Sequence, residues 1–270
     1  MRVDLQDAVV MVTGGGSGIG KATAIVCAEK GSNVILCGRR SEPLQSTSRQ
    51  IRQKGGEVLA LPTDIREWDQ VRSTVDVVLN RYGRIDALIN NAGVALRKAI
   101  IETDDEDWDL VLQTNLKGYF LCCKAVLPSM IEVNRGVVVN VSSVLGLSGT
   151  GEMGAYCSSK FGVIGLTQAL AAELNHTGIK TCTVCPGPTY TDLHRQMVGE
   201  DEAKAAMSPE RVAQAIVTII TGEIKLPSGE ALVVDDQLDY HKDRQFESKT
   251  KLPIWSRLAA ALSSRKNVKD

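Results

Sequence analysis

Tyr156 and Lys160 stand one helical turn apart in the run Tyr156-Cys157-Ser158-Ser159-Lys160. A helix over that run sets a phenol and an ammonium on the same face. A phenol titrates near ~10 in water, too high for useful base work at neutral pH. A cation ~5 Å away, at an effective dielectric of ~20, stabilises the phenolate by roughly 3 kcal/mol, about two pKa units. The spacing therefore predicts a general acid/base pair. Ser143, upstream, brings a hydroxyl to be read together with this pair. Ser142 offers the same group beside it, and the spacing to Tyr156 favours Ser143.

A second feature lies near the start, in Thr13-Gly14-Gly15-Gly16-Ser17-Gly18-Ile19-Gly20. It directly follows the strand-like run 8–12 and opens an Ala-rich helical stretch. Glycines in that context let backbone N–H groups approach a pyrophosphate at a helix N-terminus. A bound dinucleotide beside an acid/base phenol points to hydride chemistry on a carbonyl or a secondary alcohol.

The elements that must position these groups alternate along the chain. Strands are expected at 9–12, 33–37, 58–61, 87–89, 137–141, 181–184 and 232–234. Helices are expected at 19–30, 42–54, 68–82, 108–131, 156–175 and 209–221. Strands with little polar alternation, each followed by a helix, imply an α/β fold: a doubly wound, Rossmann-type parallel sheet covered on both faces. Its ligand crevice opens at the carboxyl ends of the strands. The unusual residues collect at those ends: the glycine run, Gly38-Arg39-Arg40, Asp64, Asn90-Asn91-Ala92-Gly93, Ser142-Ser143 and Pro186-Gly187.

Cofactor choice is read at the end of the second strand. An acidic residue there would bind the adenosine ribose hydroxyls and repel a 2′-phosphate. Here Gly38 is followed by Arg39 and Arg40, and guanidinium groups suit phosphate. NADP(H) is the preferred expectation, with NAD(H) the alternative if Arg40 is only a solvated helix-start charge.

Taken in order and spacing, Thr13-Gly14-x3-Gly18-x-Gly20, Asp64, Asn90-Asn91-Ala92-Gly93, Asn115, Ser143, Tyr156-x3-Lys160 and Pro186-Gly187 resemble the standard-length short-chain dehydrogenase/reductases, from about residue 6 to 235. Within them the chain is most similar to the 3-oxoacyl-carrier-protein-reductase-like group. The resemblance implies Tyr156 as proton donor and acceptor, and Lys160 as the residue that holds the nicotinamide ribose and lowers the phenol's pKa. It implies Ser143 on the substrate oxygen and Asn115 supporting a water that relays protons to Lys160; a helix-start cap is the plainer alternative for Asn115. Gly14, Ser17, Gly18, Ile19 and Gly20 would face the pyrophosphate, and Asp64 with Ile65 would bracket the adenine. Asn91, Ala92 and Gly93 would line the cofactor's middle. Pro186, Gly187, Thr189 and Thr191 would meet the nicotinamide, Thr191 holding its carboxamide.

Bulk properties close off other classes. A net charge of −1 gives no electrostatic case for nucleic acid. The first strand begins too early for a targeting peptide, and no apolar run approaches the ~18 residues that span a bilayer, so a cytoplasmic protein is expected. Seven scattered cysteines read as reduced and buried; Cys182 and Cys185, though C-x-x-C, lie in a strand entering a loop. The three histidines have no ligand-spaced partners, so no metal is expected.

The substrate wall should come from 94–96, 145–149, Met153 and the segment after Pro186-Gly187, including Tyr190 and Leu193, which permits a compact apolar ketone, an alcohol or a carrier-bound acyl chain. Residues 192–207 read as a mobile lid helix. One domain is expected over 1–235 with an extension over 236–270, whose apolar cluster is Ile254, Trp255, Leu258 and Leu262, the last three on one helical stripe. Long apolar helices over 116–131 and 156–174 resemble those of a dimer interface in the family, so a homodimer or homotetramer is expected. A non-catalytic nucleotide sensor on the same fold is the rival reading, and it would be expected to lack Tyr156, Lys160 or Ser143.

Overall fold

The computed structural model describes residues 2–236. Seven strands form one parallel sheet: β1 (Val9–Thr13), β2 (Asn33–Gly38), β3 (Val58–Pro62), β4 (Ala87–Asn90), β5 (Gly136–Val141), β6 (Ile179–Pro186) and β7 (Ala231–Val234). Their spatial order is β3-β2-β1-β4-β5-β6-β7. The chain runs outward from β1 to β3 and then returns to lay β4 against β1. That reversal opens a crevice at the carboxyl ends of β1 and β4.

Both faces of the sheet are buried because successive side chains point to opposite sides. Val10 and Val12 of β1 face a core that includes Ala24, Leu44 and Ile216, supplied by α1 (Gly18–Glu29), α2 (Ser41–Gln53) and α9 (Pro209–Thr221). Val9 and Met11 face the other core, with Val75, Tyr119 and Val163 from α3 (Trp68–Tyr82), α5 (Gly118–Glu132) and α6 (Gly154–Glu173). Continuous apolar strands were therefore the right signal for a doubly covered sheet.

Three local features depart from the sequence expectation. The helix expected over 108–131 begins earlier, as α4 (Asp105–Leu112), because the Asp104 carboxylate caps it by accepting from the Asp107 N–H at 2.8 Å. It then widens into a π-turn over Gln113–Lys117 before continuing as α5. The lid expected over 192–207 is two short helices, α7 (Asp192–Val198) and α8 (Glu200–Ala203). Gly199 between them has φ +88°, which no ordinary helix accommodates. The stripe over 254–262 lies outside the described residues.

Candidate active site

The glycine run turns tightly between β1 and α1. Gly14 has φ +67°, and a Cβ there would lie 2.9 Å from the Ala92 Cα, so bare backbone is required. Gly18 has φ +50° and lies under the Thr191 methyl group. The loop after β4 is tied to β1 by Thr13, whose Oγ1 accepts from the N–H groups of Asn91 (2.9 Å) and Ala92 (3.1 Å). The Asn91 amide donates back to the Thr13 carbonyl at 2.9 Å.

These loops line two adjoining cavities. The larger, about 290 Å³, is bounded by Gly14, Ser17, Gly18, Ile19, Asn91, Ala92, Gly93, Ser143, Tyr156, Lys160, Pro186, Gly187, Thr189 and Thr191. The smaller, about 140 Å³, is bounded by Arg39, Arg40, Asp64 and Ile65 and shares Gly14, Ser17, Ala92 and Gly93 with the first. A long crevice thus runs from the arginines at the end of β2, over the glycine loop, to Tyr156.

Two residues expected at the site line neither cavity. Gly20 is a packing position: a Cβ there would meet the Gly14 carbonyl and the Asn91 amide. Asn115 is fully buried in the π-turn, where its Oδ1 accepts from the Val94 N–H (2.8 Å). Its Nδ2 donates to the Val94 carbonyl (2.9 Å) and to Ser159 Oγ (3.0 Å).

Tyr156 and Lys160 emerge from the first turns of α6 and are almost wholly buried. Ser143 lies close enough to the Tyr156 hydroxyl to influence its acidity, and both line the larger cavity. Lys160 is fastened at both ends. Its Nζ donates to the Val141 carbonyl at 2.8 Å, and its own carbonyl accepts from Ser142 Oγ at 2.8 Å. Nζ lies 5.6 Å from the centre of the Tyr156 ring and 5.4 Å from that of Tyr119.

Burial dominates the acidity of both groups. Burial pushes the phenol up to about 12, against the lowering influence of Ser143. Burial also brings the Lys160 ammonium down to about 8. In each case loss of hydration disfavours the charged form. Cys185, beside Ser142 and Ser143, is pushed up to about 12 by burial and is therefore no nucleophile.

The remaining wall is partly as expected. Leu145 lines the larger cavity, as do Asp192, Leu193, His194 and Met197 from the segment after Pro186-Gly187, with Val144 as a member not foreseen. Leu193 and Met197 are one turn apart on α7, a signal the sequence did contain. Tyr190 instead turns to a separate cavity against α1 and α9, and its hydroxyl donates to Glu200 at 3.0 Å. Among the described residues, no His, Cys, Asp or Glu cluster could hold a metal ion, and no helix is long and apolar enough to cross a membrane.

The family model for short chain dehydrogenases matches residues 8–202. The chain belongs to the short-chain dehydrogenase/reductase family. It is an NAD(P)-dependent oxidoreductase of that family. The 3-oxoacyl-[acyl-carrier-protein] reductase FabG of Thermotoga maritima is 35% identical over 87% of this chain and 98% of its own length. The (2S)-[(R)-hydroxy(phenyl)methyl]succinyl-CoA dehydrogenase subunit BbsD of Thauera aromatica is 37% identical over 73% of this chain and 79% of its own. The crystal structure of levodione reductase superposes with a TM-score of 0.81 at 30% identity, over 85% of this chain and 96% of that one. The seven-stranded parallel sheet is the dehydrogenase/reductase fold. Its glycine cradle, closed to any side chain at Gly14, fits the dinucleotide that the family binds.

Proposed function

We propose that this dehydrogenase/reductase interconverts a ketone and a secondary alcohol with NADP(H), using Tyr156 as general acid/base. The observation that carries the reading is the convergence of Tyr156, Ser143 and Lys160 in the cavity that the glycine loop also lines. In reduction, the Ser143 hydroxyl donates a hydrogen bond to the substrate oxygen, and Tyr156 gives its proton to that oxygen as charge develops there. A bound nicotinamide coenzyme supplies the hydride, or takes it in the reverse direction. A phenol near 12 is protonated at neutral pH, which is the form that reduction needs. Lys160, held by the Val141 carbonyl, keeps a cation beside the ring; Asn115 braces the loop that carries Gly93 and Val94.

The preference for NADP(H) rests on Arg39 and Arg40, which follow β2 and line the smaller cavity; an acidic residue at that strand end would select the unphosphorylated ribose. For substrate we favour a 3-oxoacyl thioester or a compact ketone: the walls contributed by Val144, Leu145, Leu193 and Met197 are apolar, and one relative is named as a 3-oxoacyl reductase. The protein is read as one domain over 1–235, cytoplasmic, with all seven cysteines free. A homodimer or homotetramer is supported by Phe120 on α5 and Phe161 on α6, each 47% exposed; light scattering tests it. Oxidation of NADPH and NADH against ketones, β-ketoesters and acyl thioesters tests the function. A preference for NADH, or turnover of the panel by Tyr156→Phe at the normal rate, overturns it.

A further inference from the structure

The smaller cavity, which would take the adenosine end of the coenzyme, carries a carboxylate beside its two arginines. Arg39, Arg40 and Asp64 are its charged lining residues, and Arg39 is close enough for its charge to be felt at Asp64. A 2′-phosphate brings roughly −1.5 to −2 charges, which a bare Asp64 would repel. Asp64 is not bare. Arg66 Nε donates to both carboxylate oxygens at 3.0 Å, and Arg66 Nη2 donates to Oδ2 at 2.6 Å. The Arg66 backbone N–H adds a bond to Oδ1 at 3.0 Å. The pair is largely shielded, the side chains 26% and 16% exposed. Arg66 itself is not among the cavity's lining residues.

We propose that Arg66 is a selectivity residue for NADP(H) that acts by cancelling the charge of Asp64. With that carboxylate neutralised by a two-pronged guanidinium, Arg39 and Arg40 are left as uncompensated cations toward the phosphate. A coenzyme with a plain ribose hydroxyl is nearly indifferent to the same cancellation. The inference rests on the NADP(H) reading above and names a residue that the end of β2 alone would not reveal.

The test is equilibrium binding of NADPH and NADH to the full chain, followed by coenzyme fluorescence, with the ratio Kd(NADH)/Kd(NADPH) as readout. Wild type should give a ratio above one; a ratio below one sinks the NADP(H) reading itself. Arg66→Met should lower the ratio roughly tenfold, mainly through weaker NADPH binding. Arg66→Met with Asp64→Asn should restore it. An unchanged ratio in Arg66→Met overturns the inference, and a ratio that stays low in the double variant does too, because Arg66 would then act on the phosphate directly. Should Arg66→Met not fold, Asp64→Asn alone decides: releasing Arg66 must raise the ratio, and an unchanged or lower one overturns the proposal.

Discussion

Asn115 grips Val94 by both backbone groups, accepting from its N–H at 2.8 Å and donating to its carbonyl at 2.9 Å. A single amide side chain thereby mimics a strand partner and fixes the loop that leaves β4. Asn115→Ala would strand both groups and take one donor from the Ser159 hydroxyl, which still donates to the Tyr156 carbonyl, at a cost of about 2 kcal/mol. We expect a lower urea midpoint together with a raised substrate KM. An unchanged midpoint would show that the grip is dispensable.

Tyr156→Phe keeps the ring and removes the proton. Turnover should fall by about 10²–10⁴, with the coenzyme Kd within about twofold of wild type because the backbone cradle is untouched. Ser143→Ala should lower turnover by a smaller factor. Stopped-flow reduction and fluorescence titration on the same samples separate the two effects.

Lys160 has its ordinary value of 10.5 brought to about 8 by burial. The ammonium is therefore complete below pH 8 and lost above it. Reduction should be level below that point and decline beyond it, and Lys160→Arg, always charged, should abolish the decline at a lower overall rate. A profile with no inflection between pH 7 and 9.5 refutes the assignment.

Alkaline stability follows the thiols. Burial raises Cys27, Cys37, Cys123 and Cys185 to about 12, Cys182 to about 11, and Cys122 well above its usual range. The unfolded chain releases these protons from about pH 9, whereas the native chain keeps them until 11–12. Stability is thus fully present below pH 9 and falls as pH rises beyond it. Lys160 opposes this between 8 and 10.5, because there only the unfolded chain holds its proton. Six groups outweigh one, so the melting temperature should drop from pH 9 to 10.5, and should drop more steeply in Lys160→Met.

Asp86 lies at the opposite end of the sheet from the crevice, before β4. Its carboxylate accepts from the Val9 N–H (2.9 Å), Arg84 Nε (2.8 Å) and Arg135 Nη2 (2.6 Å). Burial alone would raise its pKa, but these donors together hold it below 3.8. Its stabilisation is present above the ordinary carboxylate range and is lost as pH falls through the depressed value. Asp86→Asn should cost about 2 kcal/mol, less than for a fully buried pair because both arginines are half exposed. Turnover per folded molecule should not change.

Much of this was legible in the sequence, for identifiable reasons. Uninterrupted apolar runs such as Val9–Thr13 can only be strands buried on both faces, and the glycines at 14 and 18 mark backbone that no side chain tolerates. What escaped was geometry without period. Nothing in Leu112-Gln113-Thr114-Asn115 announces one turn of wider backbone, and the outward swing of Tyr190 follows a Pro-Gly loop where spacing carries no direction. The burial that raises Tyr156 and lowers Lys160 needed to be seen in three dimensions, because spacing along a helix says nothing of what covers it.

The wide turn at Gln113–Lys117 lets one helix meet two obligations, Asn115 toward Val94 and, past the turn, Tyr119 under the Val141 carbonyl at 3.2 Å. Each α-helical residue advances the face by about 100°, so removing a single codon there would aim one of those side chains at the wrong neighbour. Length, more than composition, is what heredity must guard across these five positions: most substitutions leave the wide turn in place, whereas the loss of one residue closes it.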